Sequence, residues 1–294
     1  MPAGGRPTVR SRRLGAALRK HRQAAGMDQA AAAEKLMGSV AKVSRMETGK
    51  VTSRPIEVRL LLDLYEVSDP EERERLESLA REGNRRGWWL DHGGSVSANY
   101  ASYIELESDA THIVAWQLAL IPGLLQTPAF AMAVLDANPA VVPAENRDEF
   151  IKVRAARQRR IEDGEVRLTA IVWEPAVTAP MSSPDVHREQ LDHLLKASKL
   201  PNVTIQILPL SAGNVARVVG PFTGMSFGQH STLEAVSFEG YTNLVVVEAA
   251  EELGWYVHAL ENLRSAAWTP EQTSAFLRKT LRELSQDHGK EESS

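Results

Sequence analysis

The stretch Asp28-Gln29-Ala30-Ala31-Ala32-Ala33-Glu34-Lys35-Leu36-Met37-Gly38-Ser39-Val40-Ala41-Lys42-Val43-Ser44-Arg45-Met46-Glu47-Thr48-Gly49-Lys50 decides how this chain is read. It predicts two short helices joined by a tight turn, the second of them cationic. Asp28 is placed to cap the first helix, Ala33 is small where another helix must cross, and Leu36 closes the apolar face. Ser39 is a good cap for the second helix, and Val43 and Met46, three apart, give it a buried side. Val40, Ala41, Lys42, Ser44 and Arg45 then point outward from its first two turns, where a helix-turn-helix presents side chains to the major groove. In that reading Lys42 and Arg45 supply polar contacts, Val40 and Ala41 suit thymine methyl groups, and Lys50 reaches phosphate.

The charge around this stretch supports the same expectation. Residues 1–59 hold 13 Lys+Arg against 4 Asp+Glu, a balance of +9, and residues 60–87 hold 5 against 8. Residues 1–87 therefore carry +6 of a 294-residue chain whose net charge is −4, which leaves −10 on the remainder. A basic head on an acidic body presents one end to a polyanion and keeps the other away. Arg6, Arg10, Arg12 and Arg13 lead into the first helix and read as a basic arm for phosphate or minor-groove contact; a solvated tail is the ordinary alternative.

The absence of cysteine excludes a disulfide framework and a cysteine–zinc site. The first residues are rich in Pro, Gly and Arg without an apolar stretch, so no signal peptide is expected. The longest apolar run, residues 113–125, contains Gln117, breaks at Pro122-Gly123 and is too short to span a bilayer. The expectation is a cytoplasmic, nucleoid-associated protein with no membrane contact and no cofactor.

Further along, a helix is predicted over 11–24, ended by Gly26, with Leu14 and Leu18 inward. A fourth follows Pro55 with Val58, Leu61, Leu62 and Tyr65 as its stripe. Asp69-Pro70-Glu71-Glu72 opens a fifth that runs to about residue 85, completing an all-α domain over 1–87. Trp88-Trp89 and Gly93-Gly94 mark a change of domain. Beyond them the pattern is α+β over 88–287. Helices are expected at 98–109, 128–136, 144–162, 184–198, 255–267 and 270–284, and strands at 166–173, 203–208, 222–227, 233–238 and 244–247. That makes a sheet of about five strands. Residues 288–294 read as a disordered tail.

The N-terminal residues resemble the Xre class of helix-turn-helix domains, similar to phage lambdoid repressors, through Gln29, Ala33, Val43 and the run Ser44-Arg45-Met46-Glu47-Thr48-Gly49. The resemblance implies a lambda-repressor-like fold, a phosphate contact from Gln29, and base contacts from Val40, Ala41 and Arg45. The family usually has glycine in the turn where this chain has Met37, at a cost of about 1 kcal/mol for a positive φ; Gly38 next door is expected to absorb the bend. Trp88-Trp89, Pro122-Gly123-Leu124-Leu125-Gln126-Thr127, Arg154 with Arg157-Gln158, Arg188-Glu189-Gln190-Leu191, Pro201-Asn202-Val203-Thr204 and Gly220-Pro221-Phe222-Thr223 extend the likeness to actinobacterial Xre-type regulators with a C-terminal domain of unknown function. This resemblance implies a transcriptional regulator, often encoded beside a small acidic partner protein.

Two function classes follow. One is a homodimeric regulator that binds double-stranded DNA at an inverted repeat and uses its large domain for dimerisation and signal input. The other is an antitoxin-like interaction protein whose large domain grips a small acidic partner, with DNA binding for autoregulation. An enzyme is not expected. Gly224-Met225-Ser226-Phe227-Gly228 matches the nucleophile-elbow pattern, but no helix follows the serine. His187 and His193 are six apart and do not share a helical face as metal ligands would; His258 and Glu261 are only two ligands. All four read as ordinary surface or cap residues. Arg154 and Arg157 share a face and suit an anionic ligand; the alternative is a solvated face pairing with Glu149 and Glu162. Trp116, Trp173, Trp255, Tyr256 and Trp268 read as core and pocket rim. With Phe222, Trp116 and Trp173 are candidates for a small-molecule effector site or a protein-partner groove.

Overall fold

Leu14 and Leu18 recur at helical spacing, and in the structure they anchor α1 (Val9–Ala24) to the core of a five-helix unit. Around α1 pack α2 (Gln29–Lys35), α3 (Val40–Glu47), α4 (Pro55–Leu64) and α5 (Pro70–Glu82). Val43, Met46, Val58, Leu61, Leu62, Tyr65 and Leu76 fill the space between them. The computed structural model describes residues 9–82, 97–139, 142–227, 232–240 and 244–291. The chain divides into two compact units, Met1–Asp91 and His92–Ser294. Trp88-Trp89, Gly93-Gly94 and the last residues expected for the fifth helix, 83–85, lie outside the described residues.

The second unit begins with α6 (Ala98–Asp109) and β1 (His112–Gln117) and continues through α7 (Pro128–Ala137), α8 (Arg147–Glu162) and β2 (Arg167–Trp173). Then come α9 (Pro175–Thr178), α10 (Pro184–Ala197), β3 (Val203–Leu208), α11 (Gly213–Ala216), β4 (Phe222–Ser226), β5 (Ala235–Glu239), β6 (Leu244–Val247), α12 (Ala250–Ala266) and α13 (Pro270–Glu291). The strands form one mixed sheet in the order β3-β2-β1-β4-β5-β6. β1, β2 and β3 run parallel through helical crossovers, while β4, β5 and β6 form an antiparallel meander.

Six strands stand where the sequence pattern predicts about five, and the additional one is β1 at the centre. Its residues Ile113, Val114, Ala115 and Trp116 are all buried. Both faces of the strand are covered, so the run shows no polar–apolar alternation to mark it as β. The other difference is at the end of the chain. Residues 288–291 continue α13 instead of forming a loose tail, because Lys290 and Glu291 are good helix formers and no proline stops the helix; residues 292–294 lie outside the described residues. α12 also starts five residues earlier than the pattern predicts, on the acidic turn Glu251-Glu252.

Alternation along β1 divides the second unit. Val114 and Trp116 face a core shared with Ile171, Val236, Leu253 and Leu263, under α12. Ile113, Ala115 and Gln117 face the opposite side, toward α6, α7 and α8. The free edge of β3 is covered by the start of α13: Trp268 N donates to Ile207 O (2.8 Å), and Ile207 N donates to Thr273 Oγ1 (3.0 Å). A reciprocal capping box opens α13: Thr269 N donates to Gln272 Oε1 (2.9 Å) and Gln272 N donates to Thr269 Oγ1 (3.3 Å).

Candidate functional site

In the first unit, Asp28 caps α2 by accepting from Ala31 N (2.9 Å), and Ser39 caps α3 by accepting from Lys42 N (3.2 Å). Between them α2 closes with Gly38 N donating to Ala33 O and Met37 N donating to Glu34 O, both 2.9 Å. This Schellman pattern requires a left-handed residue at Met37, which has φ 47°. The expectation that Gly38 absorbs the bend is corrected: the positive φ stays at Met37, whose side chain is 96% exposed and meets no obstruction. The same closure ends α3, where Gly49 has φ 67° and a Cβ would lie 2.6 Å from Arg12 Cα.

α3 is held by a buried polar cluster rather than by apolar contact alone. Arg22 of α1 donates Nε to Glu47 Oε1 (2.6 Å) and Nη2 to Glu47 Oε2 (3.0 Å), and Gln29 Nε2 donates to the same Oε2 (2.8 Å). Three helices thus meet at the last residue of α3. Hydrogen bonding to Glu47 raises the Arg22 guanidinium above its ordinary value, against the opposing effect of burial. Burial pushes Glu47 up, but the bonds from Arg22 and Gln29 outweigh it and leave the carboxyl below the ordinary range. Gly15 lets α1 approach closely, since a Cβ there would stand 2.3 Å from Met46 O.

These contacts redistribute the residues expected at DNA. Val40 (48% exposed), Ala41 and Arg45 stand outward, with Ser44 half-buried beside them and Lys50 exposed beyond. Among the described residues Arg45 has no ion-pair partner. Lys42, expected to supply a polar contact, is also a brace in this structure: its Nζ lies 2.5 Å from Glu57 Oε1, tying α3 to the first turn of α4. Gln29 likewise spends its amide on Glu47. Arg10, Arg12 and Arg13 belong to α1 and not to a free arm, and Arg10 is buried (7%); Arg6 lies outside the described residues. The helix continues through Val9 because Ser11 Oγ is fixed to Gly49 O (2.9 Å). Glu47 and Gly15 are the positioning residues that sequence reading missed. Their only signal is a charge and a glycine on otherwise apolar helix faces.

A second site lies in the larger unit, where α6, α7 and α8 cover the sheet face bearing Ile113, Ala115 and Gln117. They enclose a cavity of about 430 Å³. Tyr100, Tyr103, Phe150, Leu124, Phe222, Thr223 and Ser237 line it together with Arg154 and Arg157. Arg157 is corrected from a ligand clamp to a structural cation. It donates Nε (2.7 Å) and Nη2 (2.6 Å) to the buried Glu107 and Nη1 to Tyr100 Oη, and lies 5.3 Å from the Tyr103 ring. Burial disfavours its charge, yet Glu107 outweighs this and holds the guanidinium well above its ordinary value. The alternative pairing with Glu149 and Glu162 does not form for either arginine; Glu149 instead takes Lys152. Arg154 donates Nη1 to Gln126 Oε1 and lies 5.2 Å from the Phe150 ring.

Trp116 and Trp173 are corrected as ligand residues, because they belong to the core on the opposite sheet face. Trp116 is fully buried and donates Nε1 to Val219 O (2.9 Å). Trp255, expected in the core, is 74% exposed on α12. Tyr256 packs edge-on against Phe222, and Trp268 packs against Phe276.

Ser226 is fully buried at the end of β4, with no hydrogen-bond partner for Oγ among the described residues; Gly228 lies outside them. His187 is corrected from surface to core: it is 1% exposed on the inner side of α10, and burial lowers its imidazole below the ordinary value. His258 bonds Asn262 on an exposed helix face. Among the described residues no three His, Asp or Glu side chains gather as a metal cage, and no helix is long and apolar enough to cross a membrane.

Capped helices around a Schellman turn, with an inward apolar side and an outward cationic one, define a helix-turn-helix protein. Residues 13–76 match a helix-turn-helix domain family. Residues 100–279 match the family described as a domain of unknown function, DUF5753, and the chain belongs to that family. No curated protein and no solved structure matches the chain.

Proposed function

We propose that this chain is a sequence-specific, double-stranded-DNA-binding transcriptional regulator of the Xre type, resident in the cytoplasm at the nucleoid. It docks α3 in the major groove and acts as a homodimer on an inverted repeat. The observation that carries the reading is the two-sidedness of α3. Val43 and Met46 are each 1% exposed and Glu47 is locked from within, while Val40, Ala41 and Arg45 are left outward without a protein partner for the guanidinium. Eight residues of helix span about 12 Å, the width of the groove. Arg45 pairs with a guanine edge, Val40 and Ala41 meet thymine methyls, and Lys50 meets phosphate. Met37 stands fully exposed beside this face and extends it with an apolar contact.

The larger, acidic unit serves signal input and dimerisation, and the protein performs no catalysis. Support for the first comes from its net charge, which disfavours DNA, and from a roofed cavity of ligand size. Support for the second is the complete burial of Ser226, the one nucleophile-motif residue. The test is selection of binding sites from random duplex DNA by the full-length chain, with its mass in solution and on the selected DNA. A reproducible inverted-repeat motif bound by two chains is the expected result. Enrichment of no motif, together with stable capture of a small acidic protein, overturns the regulator reading in favour of the antitoxin-like one.

A further inference from the structure

The string Pro122-Gly123-Leu124-Leu125-Gln126-Thr127 lies in the second unit and is held by side-chain hydrogen bonds from two helices. Gln158 Nε2 donates to Gly123 O (3.1 Å) and Gln126 O (2.7 Å). Gln190 Oε1 accepts from Thr127 N (2.8 Å), and its Nε2 donates to Leu125 O (2.7 Å). Gln126 Nε2 donates to Ile121 O (2.7 Å), which leaves its Oε1 fixed as the acceptor for Arg154 Nη1. Two glutamines on two helices thus brace a loop whose only outward product is the position of one guanidinium.

That guanidinium borders the cavity with its charge unmatched. No carboxylate of a described residue lies within ion-pair distance of Arg154, and its buried Nε has no hydrogen-bond partner among the described residues. Gly123 has no side chain to cover it; a Cβ there would lie 3.7 Å from Arg154 Cζ. A buried cationic donor left unsatisfied is costly, so its natural complement is an anion. The rest of the lining sets the ligand's other properties. Ile113, Ala115, Leu124 and Phe150 provide an apolar bed, and about 430 Å³ lies within the roughly 300–1,000 Å³ of small-molecule pockets. Arg157 is neutralised by Glu107, and the exposed carboxylate of Glu239 also borders the space, so a second negative charge on the ligand finds no cation.

We propose that this cavity binds an amphipathic monoanion, a carboxylate or sulfonate on an apolar or aromatic body, with the anion on Arg154. As the ligand class of the input site, this rests on the reading of the larger unit as a signal-input domain. The test uses the full-length protein and two fluorescent dyes that share an aromatic body. 1-Anilinonaphthalene-8-sulfonate carries the anion, and N-phenyl-1-naphthylamine lacks it. Wild type binds the sulfonate at least tenfold tighter than the neutral dye. Arg154→Gln weakens the sulfonate about 10- to 100-fold, the range for losing a charge-assisted hydrogen bond, and leaves the neutral dye unchanged. Ala115→Leu, which fills the floor, weakens both.

Equal affinity of wild type for the two dyes overturns the proposal, as does undiminished sulfonate binding by folded Arg154→Gln. Should Arg154→Gln fail to fold by circular dichroism, Ala115→Leu decides: wild-type sulfonate binding in that variant overturns the proposal, and its loss supports it. Affinity for the selected DNA is measured in the same titration. Selective sulfonate binding with unchanged DNA affinity upholds the ligand class and removes the input reading alone.

Discussion

Both units of this protein contain a buried, bidentate Arg–Glu pair, and each has close by in sequence an arginine with no carboxylate partner among the described residues. In the first unit Arg22 grips Glu47, and Arg45 stands on the same helix as Glu47, exposed. In the second, Arg157 grips Glu107, and Arg154 stands on the same helix as Arg157, turned to a cavity. In each case the paired arginine is an internal fastener, and its charge is cancelled where it sits. The unpaired one is free to meet something outside the protein. Solvent around Arg45 suits a polyanion that arrives with its own hydration, whereas the enclosure around Arg154 suits a small anion that must leave its water behind. Exposure, rather than residue type, separates the two roles.

The strongest test of this comparison removes the fasteners. Arg22→Ala leaves Glu47 buried without its cation and should destabilise the first unit by about 3–5 kcal/mol. Arg157→Ala should do the same to the second through Glu107. Hydrogen exchange read by mass spectrometry locates the loss: α1–α3 for the first variant, α6 and α8 for the second. If either variant keeps wild-type protection, that pair is incidental and the comparison fails on that side.

Next in size is the contrast between Arg45 and Lys50. Arg45→Ala should lose about 1–3 kcal/mol of discrimination between the selected site and a version changed at one guanine. Lys50→Ala should weaken both duplexes alike and reduce the slope of log affinity against log salt by about one. Fluorescence anisotropy on the two duplexes at several salt concentrations separates them. Equal discrimination by wild type and Arg45→Ala removes Arg45 from base reading.

Acid sharpens the fastener of the first unit. Glu47 sits below its ordinary value in the folded protein, so the folded state holds fewer protons than the unfolded one in that range. The stability this contributes is present above the ordinary carboxylate value and is lost as pH falls through the lower, folded value. Glu47→Gln should therefore be less stable at neutral pH and show a flatter decline between about pH 5 and pH 3 in denaturant titrations. A decline as steep as that of wild type assigns the acid sensitivity to other carboxylates.

The sequence made the helix-turn-helix legible because its signals are local: caps at Asp28 and Ser39, and an apolar pair at Val43 and Met46 within one turn of helix. The central strand β1 was illegible for the opposite reason. Helices cover it on both faces and strands pair with it on both edges, so residues 112–117 show no polar–apolar alternation to announce a strand. The arginines failed in the same way. Arg154 and Arg157 look identical as a helical-face pair, and only Glu107, about fifty residues earlier and on another helix, tells them apart. Trp116 and Phe222 are paired in register across β1 and β4, so they share a sheet face, and both join the core under α12.

The smallest effect falls on the turn that joins α2 to α3. Met37 holds φ 47° in order to close the Schellman motif, a conformation that costs an L-residue about 1–2 kcal/mol and glycine almost nothing. Its side chain is 96% exposed, so replacing it forfeits no burial within the unit. Against this, glycine adds freedom to the unfolded chain. Met37→Gly should therefore stabilise the first unit by a net amount of about 0.5–1 kcal/mol, read as a higher denaturant midpoint with an unchanged slope. The gain separates two roles for the residue. If methionine is kept at this position for an apolar contact beside α3, Met37→Gly should bind the selected DNA more weakly although it is the more stable protein. If DNA affinity is unchanged, the exposed face ends at α3 and Met37 contributes only strain.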